Sequence, residues 1–304
     1  MLGRTCTGMV ICICSMLSEN LLATTYTAIV QGLAGEDYYQ TQFDERVAAI
    51  QGASESSSSD AEVELFTGDQ ATKENLLAWF QRLADQSTDK DRITLFYVGH
   101  GSYDGSGYKF NLPGPDLTGV EFKEAMSAVS AELKLIVNTS SSSGALLEAF
   151  EDAPNTVLLS ATKSGRERNA PRFGRFLVKA LADDSADLDK NESISAKEAF
   201  DYAQSQTEDF YTSEGLIATE HAVLQGDHAN LITIARLSDR SARADNPELA
   251  ERYSQRDQID LEIERLRIRR IGMSDEAYRS EFQPLLIRLS LLQAEIDELE
   301  GVTP

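Results

Sequence analysis

Short apolar runs alternate with amphipathic stretches through the first part of the chain. The runs at 25–32, 61–66 and 93–98 are typical of strands buried in a parallel sheet. Between these runs, apolar residues recur at helical spacing, first at Tyr39, Phe43, Val47 and Ile50, then at Leu76, Leu77, Phe80 and Leu83. This β-α-β-α-β alternation predicts a parallel sheet with helices on both faces.

The same pattern continues to about residue 240 and then changes. Strands are predicted at 133–137 and 156–162, a serine-rich loop at 54–59, and the start of a helix at 145–150. Beyond Asn246, two long amphipathic helices separated by Gly272 predict an antiparallel hairpin. Pro284 should kink the second helix or split off its first turns. The sequence thus predicts an α/β domain at 24–240 and a helical, coiled-coil-like hairpin at 241–304.

The first 23 residues have the features of a secretory signal peptide. One basic residue, Arg4, precedes an apolar stretch at 9–17, and Ala23 is a suitable cleavage residue. The stretch is too short to span a bilayer, and the alternative interpretation is a first core strand. Its three cysteines are Cys6, Cys12 and Cys14. We therefore expect an exported, bacterial-type protein whose mature form lacks a thiol.

The charge of the chain narrows its expected partners. With 28 basic and 50 acidic residues, the formal net charge is −22 at pH 7. An acidic surface repels phosphate backbones and anionic lipids, so nucleic acid and membranes are not expected partners. Cationic peptides and calcium ions fit this overall charge better.

The chemistry-bearing residues follow two predicted core strands. His100 lies between two glycines directly after the apolar run at 93–98, and a serine run at 140–143 follows the strand at 133–137. Ligands of parallel α/β sheets bind beyond the carboxyl ends of the strands, so both positions suit a binding site. By itself, a histidine at this place also fits a purely structural strand cap.

A strand that ends in His-Gly, followed by a strand that ends in a Ser-Gly turn, resembles the caspase-like clan of cysteine peptidases, which includes legumains, metacaspases and bacterial relatives. The resemblance implies a caspase-like parallel-sheet three-layer sandwich. It assigns the general base to His100 and the nucleophile position to Ser141, or to Ser142 with a shorter spacing. Backbone amides near Gly101 and Ser141 would form the oxyanion site. The expected cysteine is absent.

This substitution leaves several functions open. A serine hydroxyl is a much weaker nucleophile than a thiolate unless an oriented base activates it. The chain is therefore expected to be an inactive pseudo-peptidase that binds a peptide or protein ligand. The alternatives are an active hydrolase with a Ser-His dyad, an engineered Cys-to-Ser variant of a cysteine peptidase, or a scaffold that acts through its hairpin.

A second candidate site lies at 187–198, where the sequence DLDKNESISAKE has the ligand spacing of a calcium-binding EF-hand loop. Glu192 occupies the position that usually carries glycine. The alternative is an acidic linker that caps the next helix. The expected Ca²⁺ ligands are Asp187, Asp189, Asn191, Ser193, Ser195 and Glu198.

The C-terminal helices also offer a surface for another chain. Each has an apolar stripe and many charged residues elsewhere. The stripes are expected to pack on each other and on the core, or to support self-association through 246–299.

Overall fold

The computed structural model describes residues 23–57, 61–237 and 246–301. The predicted signal peptide, with all three cysteines, lies outside these residues apart from Ala23. The strands are β1 (Thr25–Gln31), β2 (Ala61–Phe66), β3 (Arg92–Val98), β4 (Gly101–Tyr103), β5 (Tyr108–Phe110), β6 (Leu117–Thr118), β7 (Leu133–Asn138), β8 (Thr156–Ser160), β9 (Ser193–Ser195), β10 (Val223–Gln225) and β11 (Thr233–Arg236). The helices are α1 (Asp37–Ser57), α2 (Lys73–Gln86), α3 (Gly119–Ala128), α4 (Phe173–Ala180), α5 (Ala196–Ser213), α6 (Pro247–Arg269) and α7 (Asp275–Glu300).

A six-stranded sheet with the order β10-β8-β7-β3-β1-β2 forms the centre of the fold. Every neighbouring pair from β2 to β8 is parallel, and β10 adds an antiparallel edge. The strands β3 and β7 lie side by side in the middle, and every residue of both is buried. The predicted parallel sheet is therefore confirmed.

Helices cover both faces of this sheet. Apolar residues of α1, α4 and α5 pack on the face that includes Phe96 and Val137. Residues of α2 and α3, with the small sheet β4-β5-β6, pack on the face that includes Tyr97 and Ile136. The two faces follow from the alternation of side chains along each strand. The result is the three-layer α/β sandwich expected from the sequence.

Local signals explain where several helices begin. Thr118 and Ser195 each start a helix with a reciprocal capping box, formed with Glu121 and Glu198.

Two local predictions were wrong. Residues 54–57 of the predicted serine-rich loop belong to α1, and 145–150 forms two 3₁₀ turns, Ser143–Leu146 and Glu148–Phe150. Serines at a helix end hydrogen-bond the preceding carbonyls, as Ser57 does with Ser54 at 2.8 Å.

The C-terminal helices form the predicted hairpin. Tyr253, Ile259 and Ile263 of α6 pack against Leu292 and Ile296 of α7. Pro284 lies within α7, which is one continuous helix rather than two pieces. The apolar side chains on either side of the proline, Phe282 and Leu285, hold both flanking turns against α6.

Ion pairs attach α6 to the amino end of the sheet. Arg92, the first residue of β3, contacts Glu264, and Arg236 contacts Asp257 at 3.1 Å.

None of the helices in the described ranges has the length and apolar composition needed to cross a bilayer.

Candidate functional site

An open cleft of about 530 Å³ lies at the carboxyl ends of β3 and β7. Its floor contains Gly99 and His100, which follow β3, and Thr139, which follows β7. Residues of α1 and α4 form its walls. This is the edge where ligands of parallel sheets bind, so the predicted location of His100 agrees with a binding site.

His100 is half-buried and held by three groups. Its Nε2 lies 3.2 Å from the carbonyl oxygen of Ala34, and the rings of Tyr39 and Phe43 meet it edge-on with centroids 4.7 and 5.2 Å away. A carbonyl oxygen only accepts, so Nε2 is the protonated nitrogen and Nδ1 is left as an acceptor.

The electrostatic surroundings favour a neutral imidazole. Burial lowers the pKa of His100 below its usual 6.5, and the charge of Arg46 lowers it further. The Ala34 carbonyl and Glu36 raise this pKa but do not reverse the shift. A neutral imidazole retains a free base nitrogen near neutral pH.

The serine run lies next to the turn that follows His100. A Cβ atom on Gly101 would lie 2.4 Å from the carbonyl oxygen of Ser141, which shows how closely the two turns approach. The last register pair of β3 and β7, Tyr97 with Asn138, places both turns at the same edge. The structure therefore brings Gly101 and Ser141 together through their backbones.

The serine hydroxyls are not joined to the histidine. Ser141 is buried, and its hydroxyl has no hydrogen-bond partner among the described residues. Ser142 has a left-handed backbone with φ of 58°, and its Oγ is buried without a partner in the same part of the chain. No hydrogen bond joins either hydroxyl to the His100 imidazole among these residues, so a preformed Ser-His dyad is absent there.

A buried polar cluster supports the serine corner from below. The Asn138 amide donates to the Tyr108 hydroxyl at 2.9 Å, and that hydroxyl lies 2.7 Å from Ser140 Oγ. Burial raises the pKa of Tyr108 well above its usual value, so the phenol stays protonated. This cluster fixes the end of β7 rather than offering a reactive group.

The loop 163–168 covers the serine corner. The Glu167 carbonyl accepts from the Ser142 amide at 2.9 Å, and Gly165 is packed directly on the Tyr103 ring. The Glu167 carboxylate accepts from the Lys163 amide at 2.9 Å and lies 2.5 Å from His221 Nδ1. His221, which has no recognised metal-ligand spacing in the sequence, thus anchors a loop.

Sequence reasoning missed the cationic lining of the cleft. Arg46 lies on α1, and Arg172, Arg175 and Lys179 lie at the start of α4 or along it. Arg46 is more than 120 residues from the other three in an acidic chain, so composition does not reveal the cluster. The spacing of three and four residues between 172, 175 and 179 was the available signal, because it places the three side chains on one helix face.

The predicted calcium segment brings three carboxylates together. Oxygen atoms of Asp187, Asp189 and Glu198 lie within 4.8 Å of one another. Glu192 has φ of 61°, so it adopts the left-handed conformation that glycine usually supplies in such loops. Burial raises the pKa of Asp189, and the charges of Glu198 and Asp187 add to this shift, which a bound cation would offset.

The other predicted ligands have additional hydrogen bonds. Asn191 Oδ1 accepts from the Ser193 amide at 2.8 Å, and the Ser195 hydroxyl donates to Glu198 at 2.7 Å. Carboxylate and amide oxygens have several lone pairs, so these bonds still leave acceptor capacity toward a cation. The donor set is all oxygen, as a hard cation such as Ca²⁺ requires.

No protein-family model and no curated protein sequence matches the chain. Among solved structures, the chain is similar to a structural genomics target from Geobacter sulfurreducens, with 12% identity, a TM-score of 0.43, and coverage of 66% of this chain and 92% of that one. It is also similar to a secreted C11 cysteine protease from Bacteroides thetaiotaomicron in complex with an irreversible peptide inhibitor, with 10% identity and a TM-score of 0.36. That alignment covers 63% of this chain and 60% of the protease. The central parallel sheet with helices on both faces is consistent with a caspase-like fold.

Proposed function

We propose that this protein is an exported, peptidase-like protein that binds peptides in the cleft beside His100 and does not cleave them. The observation that carries the proposal is the separation of His100 from the serine hydroxyls. The imidazole bonds to the Ala34 carbonyl, and the Ser142 hydroxyl is buried under the 163–168 loop.

The chemistry of serine supports this assignment. A serine nucleophile needs an adjacent base, and in serine hydrolases that base is in turn oriented by a carboxylate. The oriented nitrogen of His100 faces a neutral backbone carbonyl instead. A peptide can still bind, because the cleft is open and has aromatic walls at Tyr38, Tyr39 and Phe43.

A fluorophosphonate probe tests the absence of catalysis. Incubation of the full chain with the probe, followed by peptide mapping, should give no adduct at Ser141 or Ser142. Trypsin labelled in a separate, parallel tube controls for probe quality. An adduct at Ser141 that His100→Ala abolishes and His221→Ala leaves intact would establish the alternative, an active hydrolase.

The engineered-variant hypothesis needs a separate experiment. The contact between Gly101 and Ser141 favours position 141 for a lost thiol. Ser141→Cys should cleave none of four peptide sets ending in Arg, Lys, Asn or Asp, because the serine corner is buried. Cleavage that His100→Ala stops would show that only the thiol is missing.

We infer further that 187–198 binds Ca²⁺ and braces the fold. The three converging carboxylates and the left-handed Glu192 support this. The melting temperature of the protein should rise by several degrees in 1 mM Ca²⁺, and Mg²⁺ should raise it less. Asp189→Asn is the better test variant, since Glu198 also caps α5. Equal melting with and without Ca²⁺ would contradict the inference.

We propose further that the chain self-associates through 246–299. Leu286, Ile287 and Leu291 are exposed on α7, outside the seam with α6. Deleting the hairpin would also break the ion pairs of α6, so a surface change is cleaner. Light scattering should show a concentration-dependent dimer that Leu291→Glu dissociates; a monomer at all concentrations would contradict the proposal.

A further inference from the structure

The cleft has a charge opposite to that of the whole chain. The net charge is −22, yet Arg46, Arg172, Arg175 and Lys179 line the cleft with a single carboxylate, that of Glu45. Such local reversal matters for binding, because the walls of a cleft focus the field of the charges that line it. A ligand in the cleft therefore meets a cationic surface.

In the described part of the chain, the three arginines lack a direct carboxylate partner. Within 23–57, 61–237 and 246–301, none of Arg46, Arg172 and Arg175 forms an ion pair. Arg46 donates to the neutral amide oxygen of Gln42 at 3.1 Å. The Arg172 guanidinium lies 4.1 Å from the Phe210 ring centroid, which is a cation-π contact. Lys179 differs, since it lies 3.8 Å from Asp183.

Arg46 and Arg175 also repel each other. Burial lowers the pKa of Arg46, and the charge of Arg175 lowers it further, whereas Glu220, Tyr38 and Glu45 raise it without reversing the shift. An anion near both groups would offset that repulsion. Guanidinium groups bind carboxylates with two parallel hydrogen bonds, which gives both strength and orientation.

A buried carboxylate fixes the helix that carries the arginines without pairing with them. Glu220 is 4% exposed and accepts from the amides of Arg172 at 2.8 Å and Phe173 at 3.0 Å, and from the Tyr211 hydroxyl at 3.0 Å. These bonds hold the backbone at the start of α4 and do not involve the Arg172 or Arg175 side chain. Glu220 is therefore a positioning residue for the cleft.

The structure points to a specificity that the overall charge does not suggest. On the basis of the proposed peptide binding, we propose that the cleft selects peptides with an acidic side chain, whose carboxylate binds Arg46 and Arg175. The aromatic rings of Tyr38 and Tyr39 contact the neighbouring part of the peptide. This replaces the expectation of cationic peptide ligands.

Three degenerate pentapeptide pools test the proposal, each acetylated, amidated and labelled, with Glu, Gln or Lys fixed at the centre. Fluorescence anisotropy with the full chain in low salt should show the Glu pool binding at least tenfold more tightly than the Gln pool. The Lys pool should bind most weakly. Raising the salt concentration should reduce the preference, because the charges are partly exposed.

Matched variants locate the effect. Arg46→Gln and Arg175→Gln should each weaken the Glu pool about tenfold and leave the Gln pool nearly unchanged. Arg279→Gln, at an exposed position of α7, changes the net charge equally and should have no effect. Circular dichroism melting of each variant controls for folding. Inorganic phosphate should compete with the Glu pool, and a phosphoserine pool that binds more tightly than Glu would replace carboxylate with phosphate as the preferred group.

The outcomes separate this inference from the proposed function. Equal binding of the three pools, or a preference for Lys, would overturn acidic selectivity and leave peptide binding in place. Unchanged affinity in both arginine variants would do the same. No binding of any pool would overturn both proposals together.

Discussion

Arginines at the two ends of the central sheet have different partners. At the amino end, Arg92, Arg236 and Arg265 contact carboxylates of α6 or Glu132 and hold the hairpin on the core. At the carboxyl end, Arg46 and Arg175 face an open cleft without ion pairs in the described part of the chain. Paired arginines attach elements of the fold, whereas converging unpaired ones are available to a ligand.

The largest expected effect on unfolding free energy comes from breaking the ion pairs at the amino end of the sheet. Arg92→Met keeps the aliphatic stem but removes the cation that contacts Glu264 and leaves Glu132 with Arg265 alone. Loss of one partner of a buried pair typically costs about 3 kcal/mol of unfolding free energy. Urea unfolding at pH 7 measures it. A loss below about 0.5 kcal/mol would show that this end resembles an ordinary exposed surface.

A glycine beneath the cleft should have the next largest effect. Gly101→Ala places a Cβ 2.4 Å from the Ser141 carbonyl and 2.6 Å from Ser140 Oγ, so backbone must move. We expect a loss of about 2 kcal/mol. Gly107→Ala is the control, since its Cβ would meet nothing within 4 Å, and it should stay within about 0.5 kcal/mol. Equal effects of the two changes would contradict the close approach of the two turns.

Removing the orphan hydroxyl of the serine corner should stabilise the protein. Ser142→Ala deletes a buried Oγ that lacks a partner among the described residues and leaves the backbone conformation unchanged. We expect a gain of up to about 1 kcal/mol in unfolding free energy, with unchanged peptide affinity. A destabilised variant would indicate that the hydroxyl has a structural partner.

The carboxyl end of the sheet should tolerate the loss of an unpaired arginine without a loss of stability. Arg175→Gln removes the repulsion on Arg46, so its unfolding free energy should stay within about 0.5 kcal/mol of the unchanged protein, or rise slightly in low salt. Urea unfolding of Arg175→Gln beside Arg92→Met measures this difference in stability directly. A loss of unfolding free energy comparable to that of Arg92→Met would show that the arginines at both ends of the sheet stabilise the fold.

The histidine of the cleft gives a smaller, pH-dependent effect. Since its folded pKa is lowered from 6.5, the unfolded chain binds the proton more readily, and stability falls as pH decreases through 6.5 toward the folded pKa. Arg46→Gln should raise the pKa of His100 and weaken this dependence. Histidine ring NMR on both proteins measures it, with His100→Gln to assign the signal. A pKa of 6.5 or more in the unchanged protein would contradict the effect of burial.

The sequence predicted the architecture but only half of the site. Uniform apolar runs such as 93–98 identify buried parallel strands, and strand ends then place His100 and the serine run at one edge. Side-chain orientation does not follow from that pattern, so the bond from His100 to Ala34 and the buried Oγ of Ser142 were not predictable. The cationic lining combines α1 with α4, whose packing depends on the tertiary structure.

The central claim is that the cleft beside His100 binds peptides and does not cleave them. Histidine ring NMR of the full chain during titration with the Glu pentapeptide pool tests it most directly, because His100 lies on the floor of the cleft. We predict saturable shifts of the His100 signals, a raised His100 pKa from the added carboxylate, unchanged His221 and His228 signals, and intact peptides afterwards. An unperturbed His100 at saturating peptide, or cleaved peptides, would contradict the account.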